Sequence, residues 1–328
     1  TCGFEHPTYN SCRNRHCPKC QSLAKAKWLE QQTSELLPVG YFHLVFTLPH
    51  GLNRLILAHK KIVLDLLFKA VSETLLEFGQ RRFGGQIGFI AVLHTWDQTL
   101  KDHFHLHCLV PSGALSFDRR RWIAARKNFL FPVTALSQVF RGRFLALLQQ
   151  ACDKGKISPA DNEIKASRRK NWVVYAKKPF GSPQKVLDYL GRYTHRVALS
   201  NDRILDIEDG QVTLSYRDRK DEDRKKTMTL EAQEFIRRFL LHVLPDGFMR
   251  IRHFGFLANR TKKQALAQCR KLLDLDPPPP PCSKLSAKDS LLKLTGVDLF
   301  RCPSCQKGTM IVIAELPRIA NSPQWDSS

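Results

Sequence analysis

The sequence predicts an α+β fold that carries a small cysteine- and histidine-rich module at its N-terminus, and three observations support this. Short runs rich in β-branched and aromatic residues, such as Tyr41 to Leu48 and Gln86 to Thr95, alternate with longer amphipathic segments such as Leu52 to Phe78. Cys, His, Asn and Arg crowd residues 1–33, where Cys17-Pro18-Lys19-Cys20 offers two thiolates from one tight turn. Hydrophobic residues make up 43% of the 328, enough to bury the core of one large domain or two ordinary ones.

In chain order, Ala24 to Leu37 reads as an amphipathic helix, and Tyr41 to Leu48 as a strand closed by Pro49-His50-Gly51. Leu52 to Phe78 follows as a helix with apolar residues at three-to-four spacing, and Gln86 to Thr95 as a second strand. A third strand, His103 to Val110, ends at Pro111-Ser112-Gly113. Ser137 to Cys152 is helical, Trp172 to Tyr175 a short strand, and Gln184 to Tyr193 a helix started by Gly181-Ser182-Pro183. Arg203 to Ile207 and Gln211 to Tyr216 flank the hairpin turn Glu208-Asp209-Gly210. Arg217 to Lys226 reads as a solvated charged turn before a short strand and a helix from Glu231 to Val243. Five prolines, Pro277 to Pro281, form a spacer that joins neither a helix nor a central strand. The boundaries expected are therefore a zinc module over 1–33, a main domain over 34–276, and a spacer with a C-terminal tail over 277–328.

Fifty-two basic against 30 acidic residues leave a formal charge of +22, a field that attracts polyanions. No run approaches about 18 uncharged apolar residues, and Thr1 to His6 shows no basic segment followed by an apolar one. Nucleic acid is the expected partner rather than a membrane, in a cytoplasmic, nucleoid-associated protein. Ten cysteines in a reducing compartment read as ligands and buried thiols rather than disulfides. Cys302-Pro303-Ser304-Cys305 repeats the knuckle pattern and would need a second thiolate pair to close a zinc site.

Residues two apart on a strand share a face, so His105 and His107 project together while Phe104, Leu106 and Cys108 face the core. Two imidazoles side by side form half of a divalent-cation site that keeps positions open for water and phosphate. A two-residue turn at Lys101-Asp102 would put Gln98 opposite His105 as the third ligand; a longer turn or slipped register would bring His94 or His103 there instead. Tyr189 and Tyr193 lie one turn apart on a helical face, beside Arg192, His195 and Arg196, which suit phosphate contacts. A phenol with an ordinary pKa of about 10 becomes a nucleophile when a nearby cation stabilises the phenolate. Arg250, Arg252, His253, Arg260, Lys262 and Lys263 flank Phe254-Gly255-Phe256, a basic and aromatic interleaving that suits single-stranded DNA, although both phenylalanines fit a core equally well.

Four stretches together resemble a known family. They are Tyr9-Asn10-Ser11-Cys12-Arg13-Asn14-Arg15-His16-Cys17-Pro18-Lys19-Cys20-Gln21, Phe42-His43-Leu44-Val45-Phe46-Thr47-Leu48-Pro49-His50, His103-Phe104-His105-Leu106-His107-Cys108 and Tyr189-Leu190-Gly191-Arg192-Tyr193-Thr194-His195-Arg196-Val197-Ala198. In this order they resemble the two-tyrosine rolling-circle transposases of the HUH endonuclease superfamily, of the IS91 insertion-sequence type. The resemblance implies an HUH-endonuclease-like central antiparallel sheet flanked by helices, with Val45 to Leu48 beside the histidine strand. It implies magnesium or manganese at His105 and His107. Tyr189 and Tyr193 would form 5′-phosphotyrosine links on single-stranded transposon ends and target.

It also implies an N-terminal zinc domain, here with Cys2, Cys17 and Cys20 as ligands and Cys12 or His16 as the fourth. The family shows a cysteine pair upstream of Tyr9 where this sequence has Cys2 alone, so the module is expected to be truncated. Phe104 stands where the family has proline, a harmless exchange in a strand. A rolling-circle replication or mobilisation initiator would share the active site, but the sequence has no helicase-type phosphate loop. A zinc-knuckle nucleic-acid-binding protein without catalysis would leave the histidines and tyrosines without a joint role.

Overall fold

Alternation of side chains along three neighbouring strands sets the architecture. The computed structural model describes residues 2–7, 18–126, 128–158, 160–177, 185, 191, 198–218, 221–276, 292, 298 and 300–315. The chain forms two compact units, Arg13–Pro280 and the pair of end segments Thr1–Cys12 and Pro281–Ser328.

The larger unit is built on a five-stranded antiparallel sheet. Its strands are β1 (Tyr41–Thr47), β3 (Gly88–Trp96), β4 (Asp102–Pro111), β7 (Val174–Lys177) and β11 (Ile251–Gly255), in the order β11-β3-β4-β1-β7. On one face Phe42, Leu44 and Phe46 of β1 lie with Phe104, Leu106 and Cys108 of β4 and Phe89, Ala91 and Leu93 of β3. Helices α3 (Lys60–Phe83) and α4 (Val133–Asp153) cover this face with Leu64, Leu67, Phe68 and Val71, and with Leu136, Phe140 and Phe144. Phe140 meets Phe46 and Trp172 edge-on at 5.2 Å, so α4 is keyed to the sheet by aromatic contacts. Burial of each such side chain contributes about 1.5–3 kcal/mol.

Among the described residues, apolar packing on the opposite face gathers at one end. There Tyr41, Ile90, Val92 and Leu109 pack with Leu37, Phe256 and Leu257 and with Ala265, Leu266 and Cys269, while Trp28 of α1 (Pro18–Glu35) lies against them. The last three buried residues belong to the C-terminal helix of this unit, Lys262–Leu272. The other end of this face carries the histidines.

Two expectations change in detail. The apolar run from Leu52 divides at His59 into α2 (Asn53–Ala58) and α3, because His59 leaves helical geometry (φ −125°, ψ 44°) and its Nε2 accepts the Ser158 N–H at 3.2 Å. Helix α3 then runs past Phe78 to Phe83 and ends on Gly84, left-handed at φ 57°. The segment Arg217 to Lys226 is mostly hairpin rather than turn. β9 (Gln211–Asp218) pairs with β10 (Arg224–Glu231), and Lys226 Nζ bridges Asp218 and Asp221 at 2.8 and 3.0 Å. β8 (Ile204–Glu208) completes this second sheet through Asp209 and Gly210, both at positive φ as a tight hairpin needs. Helix α6 (Ala232–Leu241) follows β10. The helix Lys262–Leu272 is thus α7, and α5 is Asp161–Arg168. A small third sheet joins β2 (Gly85–Gln86), β5 (Gly113–Ser116) and β6 (Trp122–Ala124). Among the described residues no helix is long and apolar enough to cross a membrane.

Phe254 and Phe256 belong to the core rather than to a base-stacking surface. Phe254 stacks on Phe89 at 5.0 Å, and Phe256 is buried. Between them Gly255 (φ 61°) lets the strand end against β3, where an added Cβ would fall 1.7 Å from the Ile87 carbonyl oxygen. Gly255→Ala should therefore destabilise by more than the roughly 1–3 kcal/mol of a left-handed non-glycine residue. A urea unfolding midpoint equal to wild type would contradict this.

Candidate metal centre

Strand β4 presents His105 and His107 on the face opposite to the one that α3 and α4 cover, and pairing decides what stands beside them. β1 places Thr47 opposite His105 and Val45 opposite His107. On the other side β3 places His94 opposite His105 and Val92 opposite His107. This corrects the register expected from a two-residue turn, which put Gln98 opposite His105. The turn is longer: Asp97 N–H donates to Lys101 O at 3.0 Å, and Asp97 Oδ1 accepts the amides of Thr99 and Lys101 at 2.8 and 2.9 Å. Leu100 takes a left-handed φ of 61° inside this loop and is fully buried. The shift is four residues, an even number, so the face is kept and His94 replaces Gln98 on it. Gln98 lines the cavity from the turn.

His94, His105 and His107 are all buried, and one ring nitrogen from each lies within 4.8 Å of the others. His105 Nδ1 donates to the His103 carbonyl at 2.8 Å, which fixes the tautomer with its lone pair on Nε2. His103 thus contributes its backbone, and its ring lies 5.4 Å from that of His50. His43 of β1 adds a fourth buried imidazole: its Nε2 is 2.7 Å from His107 Nδ1 and the two rings stack 6° from parallel. Burial, helped by the charge of Lys177, pushes the His43 pKa down to about 4, so the ring is neutral at pH 7. Sequence reasoning named His43 in a motif without giving it a role. Its signal was the alternation of His43, Val45 and Thr47 on the strand beside β4.

Three imidazoles converging in this way form a donor set chemically suited to a divalent metal. They open onto a cavity of about 770 Å³ also lined by Thr47, Trp96, Lys101, Lys177 and Arg217. Tyr189, Tyr193, Arg192, His195 and Arg196 lie outside the described residues, as do Cys12, His16 and Cys17 and the side chain of Cys20. Gly191, between the two tyrosines, is buried and helical, and an added Cβ would fall 2.8 Å from Leu29 Cδ2 of α1. Arg252 is engaged within the fold, paired with Asp65 and lying 4.0 Å above the Phe68 ring. The Arg250 carbonyl accepts the Leu93 N–H at 2.9 Å, joining the start of β11 to β3. Cys2, Cys302 and Cys305 come together in the smaller unit.

Residues 88–265 match a family described as putative transposase, and residues 1–48 match a transposase zinc-binding domain. A putative transposase, y4qJ, of Sinorhizobium fredii is 49% identical over all of this chain and 86% of its own length. The transposase for insertion sequence element IS801 of Pseudomonas savastanoi pv. phaseolicola is 30% identical over 93% of this chain and 76% of its own. Among solved structures, the conjugative relaxase TrwC in complex with oriT DNA aligns at 14% identity and TM-score 0.28, over 47% of this chain and 71% of that one. The same relaxase with mutant oriT DNA aligns at 14% identity and 0.29, over 73% and 75%. Taken with the antiparallel sheet and its histidine cluster, the sequence matches define a transposase. The chain belongs to the IS91-type insertion-sequence transposases.

Because His43 holds the ring of His107, His43→Ala should weaken manganese binding about 10–100-fold, the usual range for a lost orienting partner. Titration calorimetry or the manganese resonance signal would read this. Affinity unchanged from wild type would remove His43 from the site.

Proposed function

We propose that this transposase nicks and rejoins single-stranded DNA at transposon ends and targets through 5′-phosphotyrosine intermediates, in rolling-circle transposition. The observation that carries this reading is the cluster of His94, His105 and His107 at a cavity flanked by Lys101, Lys177 and Arg217. In it His94 takes the third ligand position. A divalent ion there would polarise the scissile phosphate and stabilise negative charge on its oxygens. Imidazole nitrogen suits transition-metal ions better than hard magnesium, which favours manganese of the two expected ions.

The chain's own groups supply the rest. Tyr189 or Tyr193 gives up its phenolic proton and attacks phosphorus; the tyrosine O–P bond forms as the bond to the 3′-oxygen breaks, and that oxygen leaves as a hydroxyl. The diester energy stays in the phosphotyrosine, so a 3′-hydroxyl can reverse the step without ATP. Two tyrosines allow two strands to be held at once. Lys101, Lys177 and Arg217 supply positive charge for the DNA backbone at the cavity, within the wider field of a chain with net charge +22. Zinc in the N-terminal domain is structural in this reading.

The test is to incubate the protein with single-stranded oligonucleotides and manganese, then look for a covalent adduct on a denaturing gel. The adduct should form with wild type and vanish in the Tyr189→Phe, Tyr193→Phe double variant. It should fall by about 10²-fold or more in His105→Ala or His94→Ala, the scale of losing one transition-state stabiliser. An adduct that survives both tyrosine substitutions would sink the nucleophile assignment. Wild-type levels in the histidine variants would move the ion elsewhere.

A further inference from the structure

The smaller unit brings the two ends of the chain together at three cysteines. Cys2 Sγ lies 3.5 Å from Cys302 Sγ, and the sulfurs of Cys2, Cys302 and Cys305 all lie within 4.8 Å of one another. Tetrahedral zinc with Zn–S near 2.3 Å requires sulfurs about 3.8 Å apart, so little movement separates this cluster from a ligand set.

The backbone around Cys302-Pro303-Ser304-Cys305 is folded for that task. Arg301 and Thr309 form an antiparallel bridge, and Met310 N–H donates to Phe300 O at 2.6 Å. Within this short hairpin Cys302 N–H donates to Gly308 O at 2.8 Å and Gln306 N–H to Cys302 O at 2.9 Å, with Gln306 left-handed at φ 54°. The turn aims the Gly308 N–H at Cys305 Sγ, 3.4 Å away. An amide aimed at a sulfur in this way is the hydrogen bond a metal-bound thiolate accepts. Cys302 is itself buried, so its sulfur is presented to its neighbours rather than to water.

We propose that Cys2, instead of joining Cys17 and Cys20 as the family resemblance implies, holds one zinc ion with Cys302 and Cys305 as three thiolates, so that the C-terminal knuckle completes a metal site begun at the N-terminus. The second thiolate pair that Cys302 and Cys305 need is met in part by a residue 300 positions away. Among the described residues no fourth His, Cys, Asp or Glu joins the group, so these thiolates supply three of the four corners. Binding expels thiol protons and no oxidation is involved. A site of this kind closes a loop spanning almost the whole chain, so metal binding there would tie Cys2 to the 302–305 turn.

Zinc content of the purified full-length protein tests this, measured by elemental analysis and by chelator-coupled release on thiol modification. Cys2→Ser, the Cys302→Ser, Cys305→Ser pair and the triple variant should each lose the same single equivalent of zinc relative to wild type. In wild type, alkylation of Cys2 and Cys305 should be slow until a chelator is added, a readout that needs no variant to fold. Unchanged zinc in the Cys302→Ser, Cys305→Ser protein would overturn the proposal. So would a loss confined to Cys2→Ser, which would place Cys2 on an ion with other N-terminal ligands. A metal-free Cys2–Cys302 disulfide, seen by mass spectrometry without reductant, would overturn it as well.

Discussion

The pairing of β4 between β1 and β3 is the constraint on which the larger unit depends. Each strand alternates its side chains, so one register serves two purposes at once. With Leu106 between Phe46 and Leu93, the apolar face meets α3 and α4. With His105 between Thr47 and His94, the opposite face assembles imidazoles. A slip of one residue would turn the histidines into the core and Phe104, Leu106 and Cys108 toward the cavity. The free energy of the apolar face therefore guards the geometry of the polar one. Four imidazoles crowded into a buried site carry a desolvation cost, and the hydrogen bonds of His105 to the His103 carbonyl and of His107 to His43 offset part of it.

The turn that joins β3 to β4 is held from outside the sheet. Arg203 donates to the Gln98 carbonyl at 2.6 Å and Arg238 to the Thr99 carbonyl at 3.1 Å. Leu100 packs with Val212 and Leu214 of β9, and Trp96 joins the same cluster. The second sheet thus serves as a wall of the cavity and a clamp on the loop beside it. Its Tyr216, Arg217 and Asp218 face the histidines across the open space.

The three main strands were legible because period-two apolar patterns need no tertiary information. His105 and His107 followed from the same arithmetic. The third member of the cluster did not, since turn length depends on how Asp97 caps its own loop and on where Leu100 is buried, neither of which shows in composition. The partners of Arg252 and Phe254 were hidden for a related reason: a basic and aromatic interleaving describes a nucleic-acid surface and a cation stacked on a core equally well, and the Asp65 carboxylate that pairs with Arg252 lies 187 residues away. The break at His59 depends on Ser158, again distant in sequence. Family resemblance supplied transposition, which no local pattern contains, and the sequence matches bear that class out.

Because the imidazoles are inscribed in strand pairing and not in a loop, the segment from Asp97 to Lys101 is separable from the arrangement it borders. Residues could be inserted or exchanged there, reshaping the rim of the cavity, while His94 and His105 stay opposite each other. The border of the cavity can thus change its shape and charge while the imidazoles keep their register in the sheet.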